Sequence, residues 1–327
     1  MANLETTYMG LRLRNPIIAA SSKLTSSLES IIACEKAGAG AVVLKSLFEE
    51  QIMADKEKMM DNVNYLGHAE AFDYSSVMSQ EYYLDDYIAL VEEAKGKASI
   101  PVIASLNCVS AGKWIEYASL FEKAGADALE LNVFIMPANV NVSGPELEKI
   151  YLEIAKKIKR KISIPVSMKI GFHFSGLAQM IRDFADAGLD GLVLFNRFYR
   201  PDVDIEKLKL SHGPLFSDPS EFVLSLQWIA LMSGEIDIDF AATTGVHSPE
   251  AAVKQLLVGA KAVQVCSVLY KNGIDYIGTL VDGISTWMDS HNFGAIDDFL
   301  GMLCQEKSEN PEAYERSQFV KAIVGIA

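Results

Sequence analysis

Two lysines close apolar runs in this chain. Lys45 ends Val42-Val43-Leu44-Lys45, and Lys169 ends Val166-Ser167-Met168-Lys169. An ammonium at the end of a buried strand is costly to desolvate unless it meets an anion. A single lysine of this kind can be structural, its stem packed and its head turned to water. Two on one face point instead to a bound anion or a developing negative charge. Asn132 and Asn196 also follow apolar runs. A primary amide there offers a donor and an acceptor to a planar polar ring, although capping a loop is the plainer use. His173, four residues beyond Lys169, is either an acid–base group or a solvated loop histidine. Cys108 is either a ligand contact or a small buried residue.

The stretch Ile238–Gly273 adds a phosphate site. The apolar run Ile238–Ala242 leads into Thr243-Thr244-Gly245-Val246, and a helix starts behind Ser248-Pro249, an N-cap followed by proline at the first helical position. A second run, Ala262–Val265, stops at Cys266-Ser267 before another helix. Adjacent parallel strands that empty into small-residue turns at helix starts aim backbone N–H groups at one spot. Thr244, Gly245, Cys266 and Ser267 are the candidate phosphate contacts, with Cys266 packed at the turn. Ala19-Ala20-Ser21-Ser22 is small enough for a flat ligand to lie against the backbone.

Positioning these groups takes eight strands. The candidates are Pro16–Ala20, Ala41–Lys45, Pro101–Ser105, Ala128–Asn132, Pro165–Lys169, Gly191–Phe195, Ile238–Ala242 and Ala262–Val265. They are short, apolar and branched, as strands buried on both faces of a parallel sheet are. Four helix ends read alike, EKAGAGAVVLK, EKAGADALELN, ADAGLDGLVLF and LLVGAKAVQVC, each with a glycine (Gly38, Gly125, Gly188, Gly259) just before a strand. Leu147, Ile150, Tyr151, Ile154 and Ile158 form one apolar stripe, and Leu177, Met180, Ile181 and Phe184 another. Repeated units and a late phosphate site predict a single (β/α)8 TIM barrel with long loops on its C-terminal face, rather than an open doubly wound sheet. Ser46–Ser79 and Arg197–Pro219 break the alternation and leave that face as lids or substrate walls. Residues 1–294 form the barrel on this reading. A short helix over Asp297–Cys304 and a charged tail (295–327) pack against it.

Composition narrows the partners. The 327 residues carry 29 Lys and Arg against 43 Asp and Glu, a formal charge of -14, which argues against nucleic acid or an anionic membrane surface. The first residues carry no apolar leader run and no long uncharged apolar stretch follows, so no membrane span is expected. Cys34, Cys108, Cys266 and Cys304 are far apart, which fits reduced thiols in a cytoplasm and gives no zinc or iron–sulfur signature.

In order and spacing, several of these residues resemble the class 1 dihydroorotate dehydrogenases. They are Asn15-Pro16 with Ala20-Ser21, Lys45-Ser46, Glu130-Leu131-Asn132, Lys169, Asn196, Thr244-Gly245 and Cys266-Ser267, and the resemblance covers about residues 4–290. It implies an FMN-binding barrel in pyrimidine biosynthesis that exchanges hydride between flavin N5 and a small-molecule substrate. Ala20 and Ser21 then lie along the flavin. Lys45 and Asn132 lie near its ring and the substrate, with Ser46 as a further cofactor contact. Lys169 stabilises negative charge on reduced FMN, Asn196 bonds the substrate, and Thr244, Gly245, Cys266 and Ser267 hold the phosphate. The resemblance also implies a homodimer, and any iron–sulfur cluster must come from a separate electron-transfer partner.

The departures concern the substrate half. The family's catalytic base is a cysteine (serine in class 2) on the loop after strand four, typically followed by proline. Here that loop reads Asn132-Val133-Phe134-Ile135-Met136-Pro137-Ala138-Asn139. A thioether accepts no proton at neutral pH, so Met136 leaves the base missing or displaced, with His173 as the fallback. The family's Asn-Ser-Met-Gly-Leu stretch has no clear counterpart in Asp61–Ser75. The expected ring is therefore dihydroorotate or a relative of it. Two other readings stay open: a flavin-free lyase or isomerase on a phosphorylated sugar, with Lys169 as a Schiff-base or electrostatic residue, and a catalytically silent flavoprotein.

Overall fold

A computed structural model describes residues 2–49, 69–108, 111–197 and 201–315. Its first element is an antiparallel hairpin of β1 (Thr6–Tyr8) and β2 (Leu11–Leu13). Then come β3 (Ile17–Ala19), β4 (Ala41–Val43), the short β5 (Leu47–Phe48), β6 (Val102–Asn107), β7 (Ala128–Asn132), β8 (Val166–Ile170) and β9 (Gly191–Leu194). A second hairpin, β10 (Pro201–Asp204) and β11 (Lys209–His212), precedes β12 (Asp239–Thr243) and β13 (Ala262–Val265). Eight strands pair in parallel in the order β4-β3-β13-β12-β9-β8-β7-β6, and the β4–β6 pairing closes the ring. All eight predicted strands are present, so the fold is the expected (β/α)8 barrel. The outer layer is α1 (Leu28–Lys36), α2 (Ala69–Lys97), α3 (Ala111–Lys123), α4 (Gly144–Lys159), α5 (Leu177–Asp186), α6 (Phe222–Met232), α7 (Pro249–Leu257), α8 (Ser267–Asn272) and α9 (Tyr276–His291), followed by the one-turn α10 (Glu312–Glu315). None of the described helices is long and apolar enough to cross a membrane.

The barrel has two apolar layers. Between strands and helices lies the main core, to which α5 contributes the predicted Leu177, Met180, Ile181 and Phe184, all buried. Inside the ring is a second core of mostly small residues, Ala41, Ala128, Ala241 and Ala262 with Ile18, Val43, Ile103 and Val193. Their size leaves room for Tyr8, Met9 and Leu13, which the N-terminal hairpin pushes into the bottom of the barrel. Gly191 is required for that fit: a Cβ there would come within 2.9 Å of Met9 Cγ and 3.1 Å of the Tyr8 hydroxyl.

The repeated helix ends fold as repeated joints. Gly38, Gly125, Gly188 and Gly259 all take positive φ, turning the chain from helix to strand. Asp127 accepts the Val102 N–H at 2.7 Å and pairs with Lys95 at 2.7 Å. Asp190 likewise accepts the Val166 N–H at 2.7 Å and pairs with Lys159 at 2.5 Å. Each aspartate thus satisfies the first N–H of one strand from the start of the next. Glu35 and Glu122, in the two EKAG repeats, accept the backbone N–H of Ser99 and Ser163, each in a Ser-Ile-Pro entry to a strand.

Four expectations are corrected. Ile150 is 44% exposed and stands outside the α4 stripe, which buries Tyr151, Ile154, Ala155 and Ile158 instead. The helix over Asp297–Cys304 is replaced by 3-10 turns at Ile296–Asp298 and Gln305–Lys307. Gly301, at φ 65°, breaks the run, and the N–H groups of Gly301 and Leu303 go to the carbonyls of Leu256 and Leu257 in the last turn of α7. The Arg197–Pro219 insertion contains the β10–β11 hairpin. In the Ser46–Ser79 insertion, β5 pairs with β6 and α2 begins at Ala69. Residues 50–68 of that insertion, most of Asp61–Ser75 among them, and tail residues 316–327 lie outside the described residues.

The aspartate joints give a stability test. Replacing Asp190 by Ala removes a charged acceptor and leaves the Val166 N–H without it, an effect of about 1–3 kcal/mol. The urea unfolding midpoint of Asp190→Ala should fall accordingly. An unchanged midpoint would mean that the joint is solvated and contributes nothing.

Candidate active site

The strand ends converge on a cavity of about 200 Å³ at the C-terminal mouth. Ser21 follows β3, Lys169 is the penultimate residue of β8, and Asn196 follows β9. Thr244 and Gly245 follow β12, and Cys266 and Ser267 follow β13; all seven residues line this one space. Ala20 is buried behind Ser21, and its N–H bonds to Val265 O at 2.9 Å, tying the ends of β3 and β13 together.

A chain of hydrogen bonds runs round the mouth. Asn196 Nδ2 donates to Asn132 Oδ1 at 2.7 Å, and Asn132 Nδ2 reaches Ser46 Oγ at 3.5 Å. Ser46 Oγ lies 3.1 Å from Ser21 Oγ and 2.7 Å from Ser105 Oγ. The two asparagines therefore hold each other's amides in fixed orientation. A ring placed against them meets defined donors and acceptors.

At the β12–β13 end the backbone turns tightly. Thr244 and Gly245 both have positive φ, 70° and 81°, and Thr244 Oγ1 donates to Phe195 O at 3.0 Å. A Cβ on Gly245 would overlap the start of α6, lying 2.7 Å from the Glu221 carbonyl carbon. Ser267 Oγ accepts the Ser217 N–H at 3.0 Å. Ser217 Oγ in turn meets His247 Nε2 at 2.8 Å, and Lys271 Nζ donates to Ser217 O at 2.9 Å. Burial, and then the nearby Lys271, push His247 below the ordinary histidine range. Arg197 fixes the segment over the cavity, donating to Pro214 O and Leu215 O at 3.0 Å each and pairing with Glu221 at 3.2 Å. The chemistry suits a phosphate at this end and a polar ring near Lys169 and the asparagines.

Under the mouth lies a polar layer. Gln264 lines the cavity, and its Nε2 donates to Glu130 Oε2 at 2.5 Å. Burial pushes the Glu130 carboxyl upward, while Lys169 and then Gln264 pull it back. Gln264 and Glu130 each interrupt an apolar strand, AVQV and ALELN, and that interruption is a readable signal. Ser217 and Arg197 had no such signal, because they reach the cavity from the Arg197–Pro219 insertion; Lys271, on α8, acts only through Ser217.

Other candidates sit apart. Lys45 is half-buried behind β4, its N–H bonded to Thr25 O at 3.2 Å, and it is not among the residues lining the cavity. His173 stacks on Phe172 at 4.3 Å and lines a separate cavity of about 100 Å³ with Phe134, Ile135 and Pro137. Met136, in the same loop, is 50% exposed. Cys108 is buried and its thiol is pushed up, mainly by burial, which fits the small-residue reading. A larger cavity of about 380 Å³ adjoins the first and shares Asn196, Arg197, Thr243 and Thr244 with it.

The sequence is similar to those of known proteins. The model of the family described as dihydroorotate dehydrogenase matches residues 3–288. A Thermoplasma acidophilum protein named dihydroorotate dehydrogenase B (NAD(+)), catalytic subunit, is 27% identical over 311 residues, covering 92% of this chain and 99% of its own. A Pyrococcus abyssi protein of the same name is 26% identical, with 91% and 98% covered. An Aeropyrum pernix protein, provisionally named dihydroorotate dehydrogenase A (fumarate), is 29% identical, with 91% and 96% covered.

The tight turn sets the next test. Gly245→Ala forces a side chain into left-handed backbone and against α6, a combined cost of about 2–4 kcal/mol. Its thermal unfolding should shift down by a corresponding amount. A melting temperature equal to wild type would show that the turn relaxes freely.

Proposed function

Because the chain belongs to the dihydroorotate dehydrogenase family, we propose that it is an FMN-dependent oxidoreductase acting on dihydroorotate or a closely related dihydropyrimidine-like ring. The observation that carries this reading is the single cavity shared by Ser21, Lys169, Asn196, Thr244, Gly245 and Ser267. Those residues suit FMN. Small side chains leave backbone accessible to a phosphate, and one such turn fits a mononucleotide better than a dinucleotide. Bound flavin supplies the hydride acceptor. Lys169 then provides positive charge beside the ring system, and the Asn132–Asn196 pair orients the substrate's polar edge. Electrostatic help of this kind is worth about two orders of magnitude in rate per group.

The proton half of the reaction differs from the family pattern. Oxidising a CH–CH bond removes a hydride from one carbon and a proton from its neighbour, and a placed base contributes about a hundred- to ten-thousand-fold. Met136 cannot serve, and no serine or cysteine lies between Asn132 and Asn139. His173 is the fallback base; it lines a separate cavity with that loop and would have to approach the ring from another side. The names of the Thermoplasma and Pyrococcus relatives, each a catalytic subunit, support a further subunit as partner of this chain.

Three outcomes are expected. Protein purified without added flavin should release FMN on denaturation. Colourless protein that binds no added FMN would sink the proposal, and release of FAD would contradict its cofactor. Lys169→Ala should lower the flavin midpoint potential and slow reduction about a hundredfold; unchanged values would place the lysine elsewhere. In anaerobic stopped-flow, dihydroorotate should reduce wild type slowly, His173→Ala more slowly still, and Met136→Cys faster. Rapid wild-type reduction, unaffected by His173→Ala, would refute the displaced base.

A further inference from the structure

The cavity of about 380 Å³ beside the candidate site has a chemistry of its own. It lies at the C-terminal ends of β9 and β12, against the first turns of α6. Phe172, Phe195, Val223 and Leu224 supply its apolar surface, and Phe172 and Val223 also reach solvent, so the space is open on one side. Its size falls within the ~300–1,000 Å³ of small-molecule sites. The polar side chains that line it give their donors to protein partners. Thr243 Oγ1 donates to Gln264 O at 3.2 Å, Thr244 Oγ1 to Phe195 O at 3.0 Å, and Ser225 Oγ to Phe222 O at 2.9 Å. Ser220 Oγ donates to Asp218 at 2.6 Å, Gln227 Nε2 to Tyr314 O at 3.0 Å, and Asn196 Nδ2 to Asn132 at 2.7 Å. Arg197 divides its guanidinium between Glu221 and the carbonyls of Pro214 and Leu215, so the cation and the anion on this wall neutralise each other. A charged group entering the space sheds water and meets no unpaired counter-ion. An apolar one gains by burial.

Such a cavity supplies affinity without orientation, because in small-molecule sites a few placed polar groups fix the pose. A separate ligand would lie in it unaligned. A group tied to a ring that is already anchored at Lys169 and the asparagines needs no alignment of its own. Asn196 lines both cavities, so it stands where ring and appendage would join. We propose that the substrate is larger than a bare dihydropyrimidine-like ring: it carries a neutral apolar arm, aryl or branched alkyl, that leaves the ring beside Asn196 and fills the second cavity. This rests on the FMN reading above and names the substrate class of that same site. The first cavity then selects by charge and hydrogen bonding, the second by burial.

The test titrates the FMN-loaded protein, followed through the flavin absorption band, with orotate and with orotate bearing a 2-phenylethyl group at N1 or at C5. Two attachment points are used because either ring edge can face Asn196. At least one phenylethyl compound should bind about ten- to a hundredfold more tightly than orotate, the gain expected from burying a phenyl group. A 2-carboxyethyl group at the same position should give no such gain. The ratio of the two affinities, phenylethyl compound to orotate, should fall towards one in Leu224→Trp, which fills the cavity, and in Val223→Asp, which puts a charge at its open side. Val223 is half-exposed, so the second variant gives the reading should the first not fold. A holoprotein on which neither phenylethyl compound binds more tightly than orotate overturns the inference and leaves the FMN reading standing. So does a gain that survives the substitutions, or one matched by the carboxyethyl compound. Wild type that binds no FMN overturns both.

Discussion

A closed parallel barrel satisfies its backbone within the ring and leaves a narrow column for inward side chains. A polar group that enters that column is costly there unless it finds a partner. This chain fills the column in tiers. Small aliphatic residues and the Tyr8 plug occupy the bottom. Glu130 and Gln264 bond to each other above them, and Asn132 and Lys169 stand at the top. Glu130 Oε2 and Gln264 Nε2 satisfy each other, while Glu130 Oε1 and Gln264 Oε1 stay buried without a hydrogen-bond partner among the described residues. The candidate site is thus the upper end of a polar column that starts inside the barrel.

The two ends of the barrel divide the work. Carboxylates at the bottom, Asp127 and Asp190, seal strand starts and pair with Lys95 and Lys159 on neighbouring helices. At the top, the Arg197–Glu221 pair braces the segment over the cavity. The candidate contact groups of the site are of another kind. Those groups are amides, hydroxyls and an ammonium whose partners are set mainly by strand register.

Much of this was legible in the sequence, for physical reasons that can be named. Strands buried on both faces show as short apolar runs, and helix ends that must reverse direction show as glycine before such a run. Residues at the ends of those runs, Lys169, Asn196, Thr244 and Ser267, therefore had predictable places. Elements held by tertiary contacts alone were not legible. The three-residue strands of the N-terminal hairpin have no pattern long enough to read, and their reason lies in Gly191 and Asp239, far along the chain. The Asp297–Cys304 segment looks helical until the carbonyls of Leu256 and Leu257 are available to take its N–H groups. Ile150 looked buried because a stripe predicts a face but not its width. His173 follows β8, the strand that carries Lys169, yet lines a different cavity, because strand order does not fix which side of the mouth a loop takes.

The N-terminal plug has a consequence for how the molecule is made. Met9 N–H bonds to Asp239, 230 residues later, and Asn3 bonds to Gly294. On a ribosome adding about 5–20 residues per second, the hairpin emerges roughly 10–50 s before its acceptor exists. During that interval Tyr8, Met9 and Leu13 have no barrel to enter, so the nascent chain carries an uncovered apolar hairpin at its leading end. Ring closure and plug insertion both wait for the last strands, which makes assembly a late, nearly all-or-none event. A chain stopped short of β12 keeps its own stopper outside.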